Sequence, residues 1–442
     1  MRASTPRSIV ALLITLALAA VSCGSSSPDA DSAATTAAPS STAPSTTAPP
    51  TTAAPTTTVV VQPAVDVEAV LAETEAELLS ALKAWMGESM APGASMSVRL
   101  PGQEPINVAS GVADIVTDEP VTTESYFRIG SITKTITAAT VMQLVDEGLI
   151  ELDEPMRTYL PGWLEGYEYA DEITVRQAMD HTNGLKEYAL DPVFFQVAGQ
   201  RLDEAIAPEE IEAWLASQDP LFAPGEQYSY ETGGFLSLGR VIETVTGNSA
   251  AAEIRARIFE PAGAENIFLT PEEFPPTSTV NGYGRDLMYV AGTVLVGRPD
   301  TEGLTIGDDP VVAMFTLPQD VLQSAGWTGG GGEAQLESVS AVYGALFNGT
   351  ILTPAQIDEM TTPVLDVNYG LGVSNDDIDG IRVYSHGGGV PGFRSQAGYL
   401  PDHDASYAMS VNLVPLPDGT DVGVLQREIV PILVEAVERL GG

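Results

Sequence analysis

Ser131 and Lys134 are the sharpest chemical pair in the chain. They stand in the run Phe127-Arg128-Ile129-Gly130-Ser131-Ile132-Thr133-Lys134. An apolar period continues through Thr137, Ala138, Val141, Met142, Leu144 and Val145 to Gly148, which predicts a helix over 131–147 with a glycine stop. Residues three apart share one helix face, so the lysine amine comes within reach of the serine hydroxyl. A helix N-terminus adds free N–H groups and positive potential, which suit an oxyanion developing on an acylating substrate. The chemistry is nucleophilic acyl transfer. A lysine of pKa about 10.4 costs about 4–5 kcal/mol to free as a base at pH 7. Burial or a neighbouring cation must lower that cost, and a second proton carrier helps. Alone, the S-x-x-K string equally describes a serine N-cap with an exposed lysine. Lysine is scarce here, however: Lys83, Lys134 and Lys186 are all there are, and Lys134 opens an otherwise apolar helix.

Two further segments supply partners. Pro224-Gly225-Glu226-Gln227-Tyr228-Ser229-Tyr230-Glu231-Thr232-Gly233-Gly234-Phe235 offers a tyrosine just before a helix, with Tyr228 and Tyr230 in competition and ordinary packing open to both. Tyr384-Ser385-His386-Gly387-Gly388-Gly389-Val390-Pro391-Gly392-Phe393 follows one strand and enters the next. Its glycines let an edge backbone approach a substrate, although a glycine-rich hairpin with a packed histidine reads the same way.

Taken in order, the three segments resemble the serine β-lactamase and D-alanyl-D-alanine carboxypeptidase superfamily, in its penicillin-binding, class C-like branch. The resemblance runs from about residue 90 to 415. It puts Tyr230 at the tyrosine of a Tyr-x-Asn motif, with Thr232 where the asparagine stands, and His386 and Gly388 in a His-x-Gly triad where β-lactamases usually carry Lys-Thr-Gly. Thr keeps a hydroxyl but lacks the paired donor and acceptor of an amide. The resemblance implies acylation of Ser131 and hydrolysis by water, with Lys134 and Tyr230 sharing the proton transfers. It also implies an oxyanion hole from the N–H groups of Ser131 and Gly389, and a His386 that faces a substrate carboxylate or the Ser–Lys–Tyr network. The implied substrate is a D-alanyl-D-alanine-type cell-wall peptide, with an ester or β-lactam as alternatives and no cofactor. A cell-wall-binding protein without turnover is the rival, kept open by Thr232. His181, in the turn His181-Thr182-Asn183-Gly184-Leu185, reads as structural.

The elements that must position these residues divide by region. A helix over 67–86 and strands over 95–100 and 106–112 open the globular part. Strands over 369–373, 381–385, 394–400 and 406–413 and a helix over 422–440 close it. Helices are predicted between them at 174–180, 208–217, 234–246, 250–259 and 333–347, while 270–332 shows no sustained period. Strands from both chain ends must therefore meet in one sheet. The expected fold is α/β in the α+β sense: a β-lactamase-like antiparallel sheet flanked by helices, with a helical subdomain and the site between them.

Composition narrows the rest. A net charge of −41 disfavours nucleic acid and anionic lipid as partners. Three scattered histidines, no H-E-x-x-H, no G-x-S-x-G elbow and no phosphate loop leave neither a metal site nor a rival hydrolase motif. Arg2 and Arg7 precede an apolar run, 9–21, too short to span about 30 Å of hydrocarbon. It ends at Ser22-Cys23-Gly24, which resembles a lipoprotein lipobox. Residues 1–23 are thus expected to be an export signal ending at a lipidated Cys23, so the membrane partner is reached through a lipid anchor. Residues 24–62, rich in Ser, Thr, Ala and Pro, form a tether with a limit on the order of 100 Å. Residues 63–442 form the catalytic domain of an extracytoplasmic protein. Oligomeric state is left open.

Overall fold

Gly93–Arg99 (β1) is buried along nearly its whole length, a pattern that only a central strand with both faces covered satisfies. It pairs antiparallel with Ile106–Asp114 (β2) on one side and with Ala405–Val411 (β10) on the other. Chain start and chain end thus meet in one sheet. With Glu119–Pro120 (β3), Ser374–Ile378 (β7), Ile381–Val390 (β8) and Phe393–Leu400 (β9), the sheet has seven strands in the order β7-β8-β9-β10-β1-β2-β3. The computed structural model describes residues 65–191, 194, 204–284, 304–313, 319–414, 416–417 and 419–441, all within a compact unit of Pro63–Gly442. The apolar run, Cys23 and the tether lie outside the described residues.

Alternation along the strands divides the interior into two cores. Leu400, Tyr407 and Met409 face Val67–Ser89 (α1) and Val422–Leu440 (α7), whose Leu78, Leu82, Trp85, Leu425, Ile429 and Leu433 cover that side. Ala397, Tyr399 and Ala408 face Leu336–Phe347 (α6) and, beyond it, Ile132–Asp146 (α2) and Gly233–Thr246 (α4). Truncating a buried leucine in either core costs about 2–5 kcal/mol. A second, three-stranded sheet joins Phe127–Gly130 (β4), Gly332–Ala334 (β6) and Ile267–Leu269 (β5) in the order β4-β6-β5. Among the described residues no helix is long and apolar enough to cross a membrane.

Three elements differ from the sequence expectation. The helix expected over 333–347 begins at Leu336, because Gly332–Ala334 is held as a strand from both sides and Glu333 ion-pairs with Arg128 at 2.9 Å. The strand expected over 369–373 is a bend: Gly372 has φ +73, and a Cβ on Gly370 would lie 2.1 Å from the Met360 carbonyl. Tyr369, Leu371 and Val373 are apolar because they are buried as loop, and the strand begins only at Ser374. That strand returns into β8 through Asp379 and Gly380, both at positive φ, as a tight hairpin requires. Within 270–332 the described residues include a helix, Gln319–Gly330 (α5), kinked at Trp327 and rich in glycine, which erased its period.

Candidate active site

Ser131 stands at the N-cap of α2, directly after β4 and Gly130. Its side chain makes no capping bond to the helix, so the hydroxyl is free for other partners. Gly130 has φ +55, and a Cβ there would lie 2.8 Å from the Gly389 nitrogen. A Cβ on Gly388 would lie 1.9 Å from the Ile129 carbonyl oxygen. The glycines at 130 and 388 therefore let β8 run against the end of β4 and bring the Gly389 amide to the Ser131 turn.

Lys134 is fully buried one turn into α2. Its Nζ donates to the Gly329 carbonyl at 2.7 Å and lies 3.4 Å from both Ser131 Oγ and Thr232 Oγ1. Thr133 ties this arrangement together: its Oγ1 donates to the Gly130 carbonyl at 2.7 Å and accepts from the Gly332 amide at 3.0 Å. Burial pushes Lys134 down to about 8, against the carboxylates of Glu187 and Glu231, which favour the ammonium. Freeing the amine at pH 7 then costs about 1.4 kcal/mol instead of about 4–5.

Glu231 explains how Tyr230 and Thr232 reach the site. It is fully buried, accepts from Asn183 Nδ2 at 2.8 Å and receives the Gly234 amide at the start of α4. With residue 231 anchored there, its neighbours Thr232 and Tyr230 are held beside Lys134. The Lys134 ammonium lies 4.9 Å from the Tyr230 ring centroid, and the Ser131 side chain is near enough to favour ionisation of the Tyr230 hydroxyl. Although Tyr230 as a whole is 36% exposed, desolvation of its hydroxyl, reinforced by Glu187 and Glu231 and opposed by Ser131, raises it above the ordinary range, so it stays a phenol. Tyr228 instead packs edge-on against His181. Thr232, in the asparagine position, accepts from Lys134 and donates to Glu187 Oε2 at 2.9 Å. Glu187 was missed in the sequence. Burial, opposed by Lys134, lifts it to about 7. Among 60 acidic residues nothing local marks it out.

His386 was expected to face a substrate carboxylate or the Ser–Lys–Tyr network, and its ring centroid lies 6.1 Å from that of Tyr230. Its Nδ1 lies 2.6 Å from the Gly387 carbonyl and its Nε2 lies 2.9 Å from the Tyr369 hydroxyl, so both ring nitrogens are already engaged and it is only 5% exposed. The chain continues from Tyr369 to His181 Nε2 at 3.2 Å, while His181 Nδ1 accepts from the Glu231 amide at 3.4 Å. A carbonyl only accepts, so His386 carries its proton on Nδ1; Tyr369 then donates to His386 Nε2, and His181 Nε2–H donates to Tyr369. Every proton in the chain is placed. Burial and the Lys134 charge push His386 down to about 3 and hold His181 well below its usual value. His386 thus buttresses the site as a neutral group and does not turn a charged nitrogen to a substrate carboxylate.

Arg394, also missed, supplies positive charge nearby. It pairs with Gly389 across β8 and β9, and its field favours ionisation of Tyr230. Among the described residues no group of three or more His, Cys, Asp or Glu side chains is placed to hold a metal.

A mixed sheet-and-helix fold with a serine–lysine pair at a helix start, a tyrosine opposite and a glycine-lined strand alongside defines the β-lactamase-like, penicillin-binding class. A profile of the Beta-lactamase family matches residues 76–430, and the chain belongs to that family. It is 35% identical over 188 residues to penicillin-binding protein 4 of Amycolatopsis lactamdurans, covering 42% of this chain and 47% of that protein. It is 28% identical over 324 residues to a D-aminopeptidase of Cereibacter sphaeroides, covering 73% of this chain and 57% of that protein. These matches span about half the length of those curated relatives. A D-stereospecific amidohydrolase from Streptomyces sp. shares the fold with a TM-score of 0.65 at 27% identity, over 80% of this chain and 97% of that one.

Proposed function

We propose that this protein is a serine hydrolase that cleaves amide bonds in short D-configured peptides through an acyl-enzyme on Ser131. The observation that carries the reading is a fully buried Lys134, held near 8, at 3.4 Å from the Ser131 hydroxyl and 4.9 Å from the Tyr230 ring centroid. With Gly329 and Thr232 taking two N–H groups of the neutral amine, its lone pair faces Ser131 and accepts the hydroxyl proton. The serine oxygen attacks the carbonyl, and the amides of Ser131 and Gly389 receive the oxyanion. Tyr230, a phenol throughout, passes a proton from Lys134 to the departing nitrogen as the C–N bond breaks. Water then attacks the ester, its proton returns along the same path, and Ser131 is regenerated as the acid leaves.

The favoured substrate is a D-alanyl-D-alanine-type peptide; the relatives named D-aminopeptidase and D-stereospecific amidohydrolase support D-configured amides as the class. Neutral His386 in place of a lysine disfavours β-lactam turnover. Esterase or β-lactamase activity, and cell-wall binding without turnover, are the competing outcomes. Parallel assays with acetyl-D-Ala-D-Ala, a small ester and a cephalosporin separate them: measurable peptide cleavage with slow cephalosporin hydrolysis supports the proposal, and cephalosporin turnover alone refutes it. We further propose export and lipid anchoring at Cys23, with residues 24–62 as tether and 63–442 as the extracytoplasmic catalytic domain.

A further inference from the structure

One tryptophan carries a backbone conformation that suits glycine. Residues 326–332 read Gly-Trp-Thr-Gly-Gly-Gly-Gly, yet none of the five glycines has a positive φ. Trp327 does, at φ 30 and ψ −129, where it kinks α5. A side chain at such a φ is strained, and the strain persists only where the surroundings over-determine it. Here they do. The indole is 5% exposed, and its Nε1–H donates to Glu272 Oε1 at 2.7 Å. Gly239, in the middle of α4, opens the space: a Cβ there would lie 2.9 Å from Trp327 Cζ3 and 2.5 Å from Thr328 Oγ1. Glycine inside a helix is itself unfavourable, so two local preferences are overruled at one contact.

The group that this kink places lies two residues further on. The Thr328 carbonyl accepts from Thr137 Oγ1 at 2.7 Å, and the Thr328 hydroxyl donates to the Phe235 carbonyl at 2.8 Å. The Gly331 amide donates to the Trp327 carbonyl at 2.6 Å, and the Gly331 carbonyl accepts from the Thr270 hydroxyl at 2.7 Å. Between these anchors the Gly329 carbonyl accepts from Lys134 Nζ at 2.7 Å, much closer than Ser131 Oγ and Thr232 Oγ1, both at 3.4 Å. Relaxing the kink would draw Gly329 away. The buried amine would then lose its strongest acceptor and turn from Ser131.

We propose that Trp327, locked by Glu272, is a positioning residue for the reaction: its kink fixes the Gly329 carbonyl as the acceptor that aims the Lys134 amine at Ser131. Both residues act through Gly329 rather than on the substrate. The inference rests on the reading of Lys134 as the base, and it assigns the part of the chain that keeps the lone pair on target.

The test is the second-order rate of Ser131 labelling by a small fluorophosphonate, measured on the full chain from pH 6 to 10. A carbonyl holds an ammonium more strongly than an amine. In Glu272→Ala the ascending limb should therefore move down by about one unit, the worth of one charge-assisted hydrogen bond. The alkaline plateau should fall by about tenfold to a hundredfold, because the amine is misaimed. Glu272 is exposed, so its replacement leaves the core in place. Glu272→Gln keeps an acceptor for the indole and should match wild type, which separates the hydrogen bond from the charge. Trp327→Phe keeps a ring and loses the N–H, and should shift the limb as Glu272→Ala does. The double variant should shift it no further, since both changes break one bond. A wild-type limb and plateau in Glu272→Ala overturns the inference. So does Glu272→Gln that behaves like Glu272→Ala, or a lowered plateau with an unmoved limb, which is what a merely structural role gives. Wild type that never labels at Ser131 overturns the hydrolase reading itself, and the positioning role with it.

Discussion

Replacing Glu187 by glutamine tests the tuning of Lys134. The change keeps an acceptor for Thr232 Oγ1 and removes the carboxylate that does most to hold Lys134 as an ammonium. The two charges stand about 6 Å apart at most, where a full pair at an effective dielectric of about 20 is worth about 2.8 kcal/mol, or about two pKa units. Glu187 itself titrates at about 7, so near neutrality it carries about half a charge and holds Lys134 up by about one unit. In Glu187→Gln, Lys134 should therefore titrate about one unit below its value of about 8. The neutral fraction at pH 7 rises from about one tenth to about one half, a gain of about fivefold. The sign follows from the roles: the neutral amine is the active form, so losing an anion extends activity toward acid. The assay is the second-order rate of Ser131 labelling by a small fluorophosphonate from pH 6 to 10. The ascending limb should move down by about one unit, and the two curves should converge above about pH 9. A limb that stays in place or moves up refutes the assignment of Lys134 as the base.

The remaining predictions follow from other parts of the molecule. Nitrogen NMR should find His386 protonated on Nδ1 and His181 on Nε2, neither titrating between pH 5 and 8; Tyr369→Phe should release the His386 tautomer, and a titrating His386 in the wild type contradicts the chain. Gly388→Ala must displace the Ile129 carbonyl, 1.9 Å from the new Cβ, and should lower stability in urea by about 3 kcal/mol. Gly87→Ala in α1 meets nothing within 4 Å and should raise stability by about 0.5–1 kcal/mol; the opposite order speaks against the packing described. Cys23→Ala should block lipidation and leave any processed protein in the aqueous phase of a detergent partition, whereas retention in the detergent phase contradicts lipid anchoring.

Local chemistry was legible and tertiary chemistry was not. Ser131 and Lys134 share one helix turn and could be read from spacing, whereas Tyr230 over Tyr228, three residues before a helix, and Gly388 in its glycine run were picked out by the family resemblance. The helices at 422–440 and 208–216 and the strands of the C-terminal meander carried regular apolar periods and could be read directly. Glu187 and Arg394 matter because of what the fold brings to them: a hydroxyl 45 residues away and a glycine on a paired strand. Tyr369 lay inside an apolar run that alternation reads as strand, yet Gly370 and Gly372 turn it into a loop that carries the hydroxyl between two histidines. The Ser374–Ile378 strand is polar and becomes a strand only because β8 folds back on it. The Gln319–Gly330 helix ends in glycines whose value is positional: the Gly329 carbonyl is what Lys134 donates to.

The central claim is that Ser131 is the nucleophile and Lys134 its base. Mass-spectrometric mapping of the soluble domain, residues 63–442, after treatment with a fluorophosphonate tests both at once. The account predicts a single adduct on Ser131, absent in Ser131→Ala, nearly absent in Lys134→Ala and not restored by Lys134→Arg, which stays charged. An adduct at another residue, or labelling that survives either alanine substitution, contradicts it.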